Sequence, residues 1–121
     1  MKQDAHASES HSSDTGEIRR QALYLALAAI PLGKVTSYGE LADIAGLGRA
    51  ARWVGRELSR LPDGSKLPWH RVVSASGRPS LAAGTLSGTE QRARLRAEGV
   101  TFRNDRLDMR LHGWRPGDRS G

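Results

Sequence analysis

A mainly α-helical domain with a little β structure, built round a helix-turn-helix, is the fold class this sequence predicts. Three observations support it. Apolar residues recur at helical spacing between Glu17 and Ile30. Two short segments with helix-start and glycine-stop signals follow between Ser37 and Leu61. Near the end, "VTFRNDRLDMRL" alternates on both sides of Asn104-Asp105, which reads as a β-hairpin. Helices, a helix-turn-helix and a terminal hairpin together make a winged-helix-like pattern.

The elements follow in order. Residues 1–15, "MKQDAHASESHSSDT", are polar, serine-rich and without apolar periodicity, and read as a disordered tail. Residues 16–115 read as the folded domain and 116–121 as a flexible end. In the first helix Ile18, Ala22, Leu25 and Ala29 recur on one face, widened by Leu23, Leu27 and Ile30, and Pro31 ends it. Gly33 and β-branched Val35-Thr36 favour an extended piece. Ser37 with Glu40 forms the spacing of a capping box that opens a short second helix through Leu41 and Ile44. Gly46 and Gly48 stop it, and "RAARWVGRELSRL" makes a third helix ending near Pro62-Asp63-Gly64. Val72-Val73 is a short buried strand or extended core segment. A Gly/Ser/Ala loop spans Ser74 to Leu86, and Ser87 with Glu90 repeats the capping spacing for a fourth helix that Gly99 closes.

Composition narrows the function. The chain of 121 residues holds no cysteine, which excludes disulfides, thiolate metal ligands and any covalent step through a thiol. Its four histidines, His6, His11, His70 and His112, lack the close pairing of a zinc site. No metal and no cofactor is therefore expected. No apolar run approaches the roughly 20 residues of a membrane span, and Leu23–Leu32 follows Arg19-Arg20 without a signal-peptide cleavage site, so a cytoplasmic protein is expected. The formal charge is +6, but the first seventeen residues carry −3, which leaves +9, mostly arginine, on the rest. So basic a folded portion suits a polyanion through counterion release and steering. A winged-helix-like DNA-binding domain would suit that charge; a solvated surface tuned for solubility is the other reading.

"SKLPWHRVVSASG", Ser65 to Gly77, sets Trp69 between Pro68 and His70-Arg71. Trp69 reads either as a buried anchor between the third helix and Val72-Val73, or as one apolar face of a site flanked by polar groups. No serine, cysteine or threonine sits immediately beside His70, so no nucleophile–base pair is apparent.

"IPLGKVTSYGELADIAG", "ARWVGREL" and "PWHRVVSASG", in that order, resemble the DNA-binding domain of O6-alkylguanine-DNA alkyltransferases. Those proteins carry a cysteine between the proline and histidine of "PCHRV" and accept the alkyl group on it; here that position is Trp69. The resemblance is therefore to the alkyltransferase-like branch, which binds alkylated guanine without repairing it, and it covers roughly Glu17 to Trp114.

The resemblance implies a set of roles. The helix-turn-helix would dock in the minor groove of double-stranded DNA, using Tyr38, Arg49, Ala50, Ala51, Arg52 and Arg56, with small Ala50 and Ala51 permitting close approach. The lesion base would be flipped, since a base inside the duplex is inaccessible. Arg52 would be the arginine finger filling the vacated stack, its alternative being a phosphate contact. Tyr38, Trp69, Val72, Ala82 and Ala83 would form the lesion pocket. His70 and Glu98 would be a relay left without a thiol, now structural. Ala82 stands where some relatives carry an arginine, and Leu61 stands before Pro62 where transferases carry asparagine. Trp53 is a further difference, serving packing or groove contact. Arg103, Arg106 and Arg110 read equally as phosphate contacts or solvated residues.

The implied function is a non-enzymatic damage sensor that binds O6-alkylguanine as a monomer and flags it for nucleotide excision repair, nucleoid-associated in a bacterium. Two other readings stay open. A winged-helix transcription regulator would read unmodified sequence in the major groove. A hydrolase or glycosylase would use His70 with Glu98 or Asp63 to activate water.

Overall fold

The computed structural model describes residues 2–81 and 84–116, with side chains from Thr15 onward. Its first helix, α1, spans Lys2–Ala28. The backbone is thus helical through most of the segment read above as a disordered tail. That segment has no proline, and Gly16 is the first glycine met. A helix nucleated by the apolar half can therefore extend backward at little cost per residue. The buried face of α1 also differs from the expected one. Leu23, Ala26, Leu27 and Ile30 are buried, whereas Ile18 is 64% and Leu25 74% exposed, and Ala29 is exposed. Leu25 lies about 200° from both Leu23 and Leu27 around the axis, so one face cannot bury all three.

After α1 the extended piece predicted at Val35-Thr36 appears as β1 (Thr36–Ser37), which pairs in parallel with β2 (Val72–Val73), Thr36 opposite Val72 and Ser37 opposite Val73. This two-stranded sheet sits between two apolar clusters, because successive strand residues point to opposite faces. Val72 joins Leu23, Leu27, Ile30, Leu41, Ala42 and Val54. Val73 joins Val35, Leu95, Val100 and Leu107.

The helix-turn-helix is α2 (Tyr38–Ile44) followed by α3 (Ala51–Ser59). Ser37 caps α2 as expected, accepting from the Glu40 amide at 3.1 Å. Gly46 (φ 77°) and Gly48 (φ 69°) take the left-handed backbone that the turn requires. α3 is pinned to α1 through Glu57, almost fully buried, which accepts from Arg20 Nε at 3.0 Å.

A single 3₁₀ turn, Trp69–Arg71, leads into β2. The fourth helix, α4, spans Leu86–Ala97, and its cap is Thr85, which accepts from the Gly88 amide at 3.0 Å, rather than Ser87. Both residues offer a hydroxyl. Thr85 wins because Gly88, at the third position after it, is buried with its amide turned to the hydroxyl.

The predicted hairpin is reduced to one rung, Arg103 opposite Arg106, around Asn104 (φ 54°) and Asp105 (φ 59°). Positive φ at both central residues is the type I′ signature. No longer ladder forms because the flanks are committed elsewhere. Val100 and Leu107 fill the second cluster, the Leu107 amide donates to Gly77 O at 2.9 Å, and Asp108 caps a short α5 (Met109–His112). The chain then returns beside β1, with Trp114 N donating to Val35 O at 2.7 Å. The expected flexible end, from Gly117, lies outside the described residues.

Candidate nucleic-acid interface

The first site is an open groove on the helix-turn-helix. Arg19, Arg49, Arg52 and Arg56 line it, with Ala50, Ala51 and Trp53 between them and Glu40 and Asp43 on α2. Arg49, Arg52 and Arg56 are exposed and make no ion pair among the described residues. The start of α3 is notable chemically. Its cap position is Ala50, which supplies no side-chain hydrogen bond, and its first turn holds no acid. The uncovered amides and the positive end of the helix dipole therefore share a surface with Arg49 and Arg52. That arrangement disfavours the isolated helix and favours a phosphate placed against it.

Within the groove the alanines divide. Ala51 is exposed, but Ala50 is buried in the first cluster, so its small size serves packing rather than close approach to a ligand. Trp53 packs half-buried on the first cluster, and the Arg19 guanidinium lies 4.7 Å from its ring centroid at the groove.

The second site is a cleft of about 570 Å³, within the range of small-molecule pockets. Leu58, Leu61, Trp69, Leu81 and Leu86 supply its apolar lining, and Asp63, Glu90 and Arg94 its charges. Trp69 is half-buried, lines the cleft and belongs to neither apolar cluster, so it is not the buried anchor of the first reading. The other expected pocket residues distribute differently. Val72 is fully buried in the first cluster and does not line the cleft. Ala82 and Ala83 lie outside the described residues, directly after Leu81 of the cleft wall. Tyr38 lines neither opening, but its hydroxyl is hydrogen-bonded to Ser80 Oγ, which ties the start of α2 to the loop that forms the wall. Burial raises the Tyr38 pKa against that hydrogen bond, so the phenol stays neutral.

Beneath Trp69 lies a charged knot. His70 Nε2 is 2.7 Å from Glu98 Oε2. Arg71 clamps the same carboxylate, Nε to Oε1 at 2.9 Å and Nη2 to Oε2 at 2.7 Å, while its Nη1 donates to Ile30 O at 2.8 Å. The Gly33 amide adds a further hydrogen bond at 2.9 Å. Burial alone would raise the Glu98 pKa; the Arg71, Gly33 and His70 hydrogen bonds outweigh it and hold the carboxyl at about 2. Burial lowers the His70 pKa, against the pull of Glu98, so the imidazole is neutral at pH 7 and its Nε2–H donates a hydrogen bond to Glu98. Its Nδ1 is buried without a partner among the described residues.

This geometry assigns the carboxylate its part. A carboxylate with four donors and a pKa near 2 is too weak a base to take a proton from water itself at neutral pH, so Glu98 acts on its surroundings as a fixed negative charge that orients His70. Sequence reasoning found His70 and Glu98 but missed Arg71, whose role no spacing betrays, since its partners are 27 and 41 residues away. It also missed Arg94, whose guanidinium lies 5.4 Å from the Trp69 ring centroid. Arg94 stands one helical turn after Glu90, its ion-pair partner, and that spacing was the available signal.

Among the described residues no group of three or more histidines and acids is placed to hold a metal, and no helix is long and apolar enough to cross a membrane.

Residues 19–100 match the family model described as "6-O-methylguanine DNA methyltransferase, DNA binding domain". A DNA base-flipping protein of Escherichia coli is 47% identical over 95 residues, covering 78% of this chain and 72% of the relative. The crystal structure of S. pombe Atl1 in complex with damaged DNA containing O6-carboxymethylguanine superposes with a TM-score of 0.74 at 32% identity, over 81% of this chain and 95% of that one. Mycobacterium tuberculosis OGT in complex with DNA gives 0.57 at 39% identity, over 65% and 48%.

Proposed function

This chain belongs to the family of the 6-O-methylguanine DNA methyltransferase DNA-binding domain, and on that premise we propose that it is a non-enzymatic DNA damage sensor. It binds duplex DNA containing O6-alkylguanine from the minor-groove side, flips the modified base into the Trp69 cleft and flags it for nucleotide excision repair. The observation that carries this reading is Trp69 lining an open cleft in a chain without cysteine. The residue beside the His70–Glu98 pair offers a flat apolar face and no lone pair that could accept an alkyl group. Similarity to a protein named for base flipping and to Atl1 bound to damaged DNA supports the same reading.

The steps follow from the residues. The arginine groove at the start of α3 attracts the phosphates. Arg52, exposed in the first turn of α3, enters the stack as the base leaves, and its planar guanidinium stacks and hydrogen-bonds where the base was. Extrusion costs a few kcal/mol; stacking on an aromatic ring returns about 1–3 kcal/mol per base. With no covalent step the complex is reversible, and its lifetime carries the signal. On this reading the protein acts as a monomer on the cell's DNA.

The test is binding to two duplexes that differ in one O6-methylguanine, with the oligonucleotide and the protein weighed by mass spectrometry afterwards. Tighter binding to the lesion, with both masses unchanged, is expected; equal affinity for the two duplexes, or an alkylated protein, refutes the proposal. Arg52→Ala weakens binding to both duplexes, whereas Trp69→Ala loses lesion preference more than general binding.

A further inference from the structure

Arg94 has no role in the sensor reading, yet it occupies the decisive place in the cleft. Its guanidinium lies over the Trp69 ring, 5.4 Å from the centroid. A base laid between the two would need about 7 Å, twice the stacking rise of a nucleic-acid strand. A flipped base that stacks on this face therefore displaces the guanidinium. The restraint on Arg94 is slight. Its only ion-pair partner among the described residues is Glu90, one turn earlier on α4, and the two side chains are 42% and 50% exposed. Exposed pairs of this kind contribute little and exchange readily.

The destination of the displaced cation follows from the cleft's own charges. Of the described residues that line it only Arg94 is basic, and only Glu90 and Asp63 are acidic. Without Arg94 the cleft would repel an anion. With it, an anion inside the cleft can take the guanidinium from Glu90 as a planar two-pronged partner.

We propose that Arg94 is a specificity-determining residue of the Trp69 cleft, handed from Glu90 to the O6 substituent of the flipped base, so that substituents ending in a carboxylate are favoured over neutral ones of the same shape. This rests on the cleft being the lesion pocket. Glu90 sets the threshold, since an incoming carboxylate must compete with it. Asp63 opposes the anion from the turn after α3.

The experiment compares duplexes carrying O6-carboxymethylguanine and its neutral isostere O6-carbamoylmethylguanine, measuring the affinity ratio within each variant so that changes in general DNA binding cancel. The whole chain is expected to bind the carboxylate about tenfold tighter, the size of a charge-assisted hydrogen bond less the lost surface pair. In Arg94→Gln the ratio falls below one, because two acids then face the carboxylate. In Glu90→Gln it rises several-fold, and in Asp63→Asn it rises less. A thermal melt of each variant establishes folding. A ratio unmoved by Arg94→Gln, or lowered by Glu90→Gln, overturns the proposal. If instead the wild type fails to distinguish O6-methylguanine from guanine, the pocket itself is wrong, a separate failure.

Discussion

Replacing Glu98 by glutamine tests whether the knot under Trp69 holds the fold. The carboxylate receives Arg71 twice, His70 once and the Gly33 amide once. Those donors come from the 3₁₀ turn and from the segment after α1, so one side chain at the end of α4 joins three parts of the chain. A carboxyl held at about 2 against an ordinary 4.5 corresponds to about 3 kcal/mol of stability at neutral pH. Removing one partner of a buried pair costs about 3–5 kcal/mol, a comparable figure reached independently. The sign is fixed by the direction of the shift. With the folded pKa depressed, the stabilisation is present above about 4.5 and is lost as the pH falls toward 2. His70 adds an earlier loss, because its folded pKa is also depressed and the unfolded chain takes up a proton from about pH 6.5 downward. Urea denaturation from pH 8 to pH 2 measures both. Glu98→Gln should be about 3 kcal/mol less stable than the wild type at pH 7, and the gap should close as the pH falls through 4 toward 2. A constant gap, or a wild type whose stability is flat between pH 5 and 3, would refute the assignment.

Three further outcomes follow from the same geometry. The logarithm of the affinity for undamaged duplex should fall steeply with the logarithm of salt concentration, and each of Arg49→Gln and Arg56→Gln should reduce that slope by about 0.9 if the side chain meets a phosphate; fluorescence anisotropy across a salt series reads it. Gly77→Ala should destabilise by about 2 kcal/mol or more in chemical denaturation, since Gly77 has φ 90° and a Cβ there would stand 2.3 Å from Leu107 O. Asn104→Gly, at φ 54°, should be neutral or stabilising by about 0.5 kcal/mol in the same assay, because glycine takes that backbone without strain.

The elements governed by local chemistry were legible in the sequence. Ser37 and Glu40 open α2, Gly46 and Gly48 make its turn, and Val35-Thr36 and Val72-Val73 are extended. The failures share a cause, which is competition that a local pattern does not display. Alternation around Asn104-Asp105 promised a hairpin, but Leu107 and Val100 had stronger claims from the second core. Ser87 and Thr85 both offered a cap, and the burial of Gly88 chose between them. At the site, the residue types with distinctive chemistry, Trp69, His70 and Glu98, could be named from the sequence. Arg71 could not, because an arginine after a histidine looks like any solvated arginine until the Ile30 carbonyl and Glu98 are brought to it.

Clusters of strongly perturbed ionisable groups ordinarily mark a reactive centre. In this molecule the perturbed cluster is also the most cross-linked one, and the reason is physical. The His70–Arg71–Glu98 knot satisfies all the donors aimed at Glu98, keeps the carboxylate charged and leaves it nothing to exchange, so its perturbation measures cohesion. The arginines at the start of α3 do the opposite. They crowd a positive helix end with no acid in its first turn and no capping side chain, a cost in stability that an anion placed there would offset. Interactions that close on themselves belong to the fold, and charges left unanswered on the surface belong to the ligand. Trp69 stands between the two kinds: the knot fixes the turn that carries it, and it lines a cleft where Arg94, the one cation among the described lining residues, is only loosely held. The rigid side gives Trp69 its position, and the loose side leaves Arg94 open to exchange.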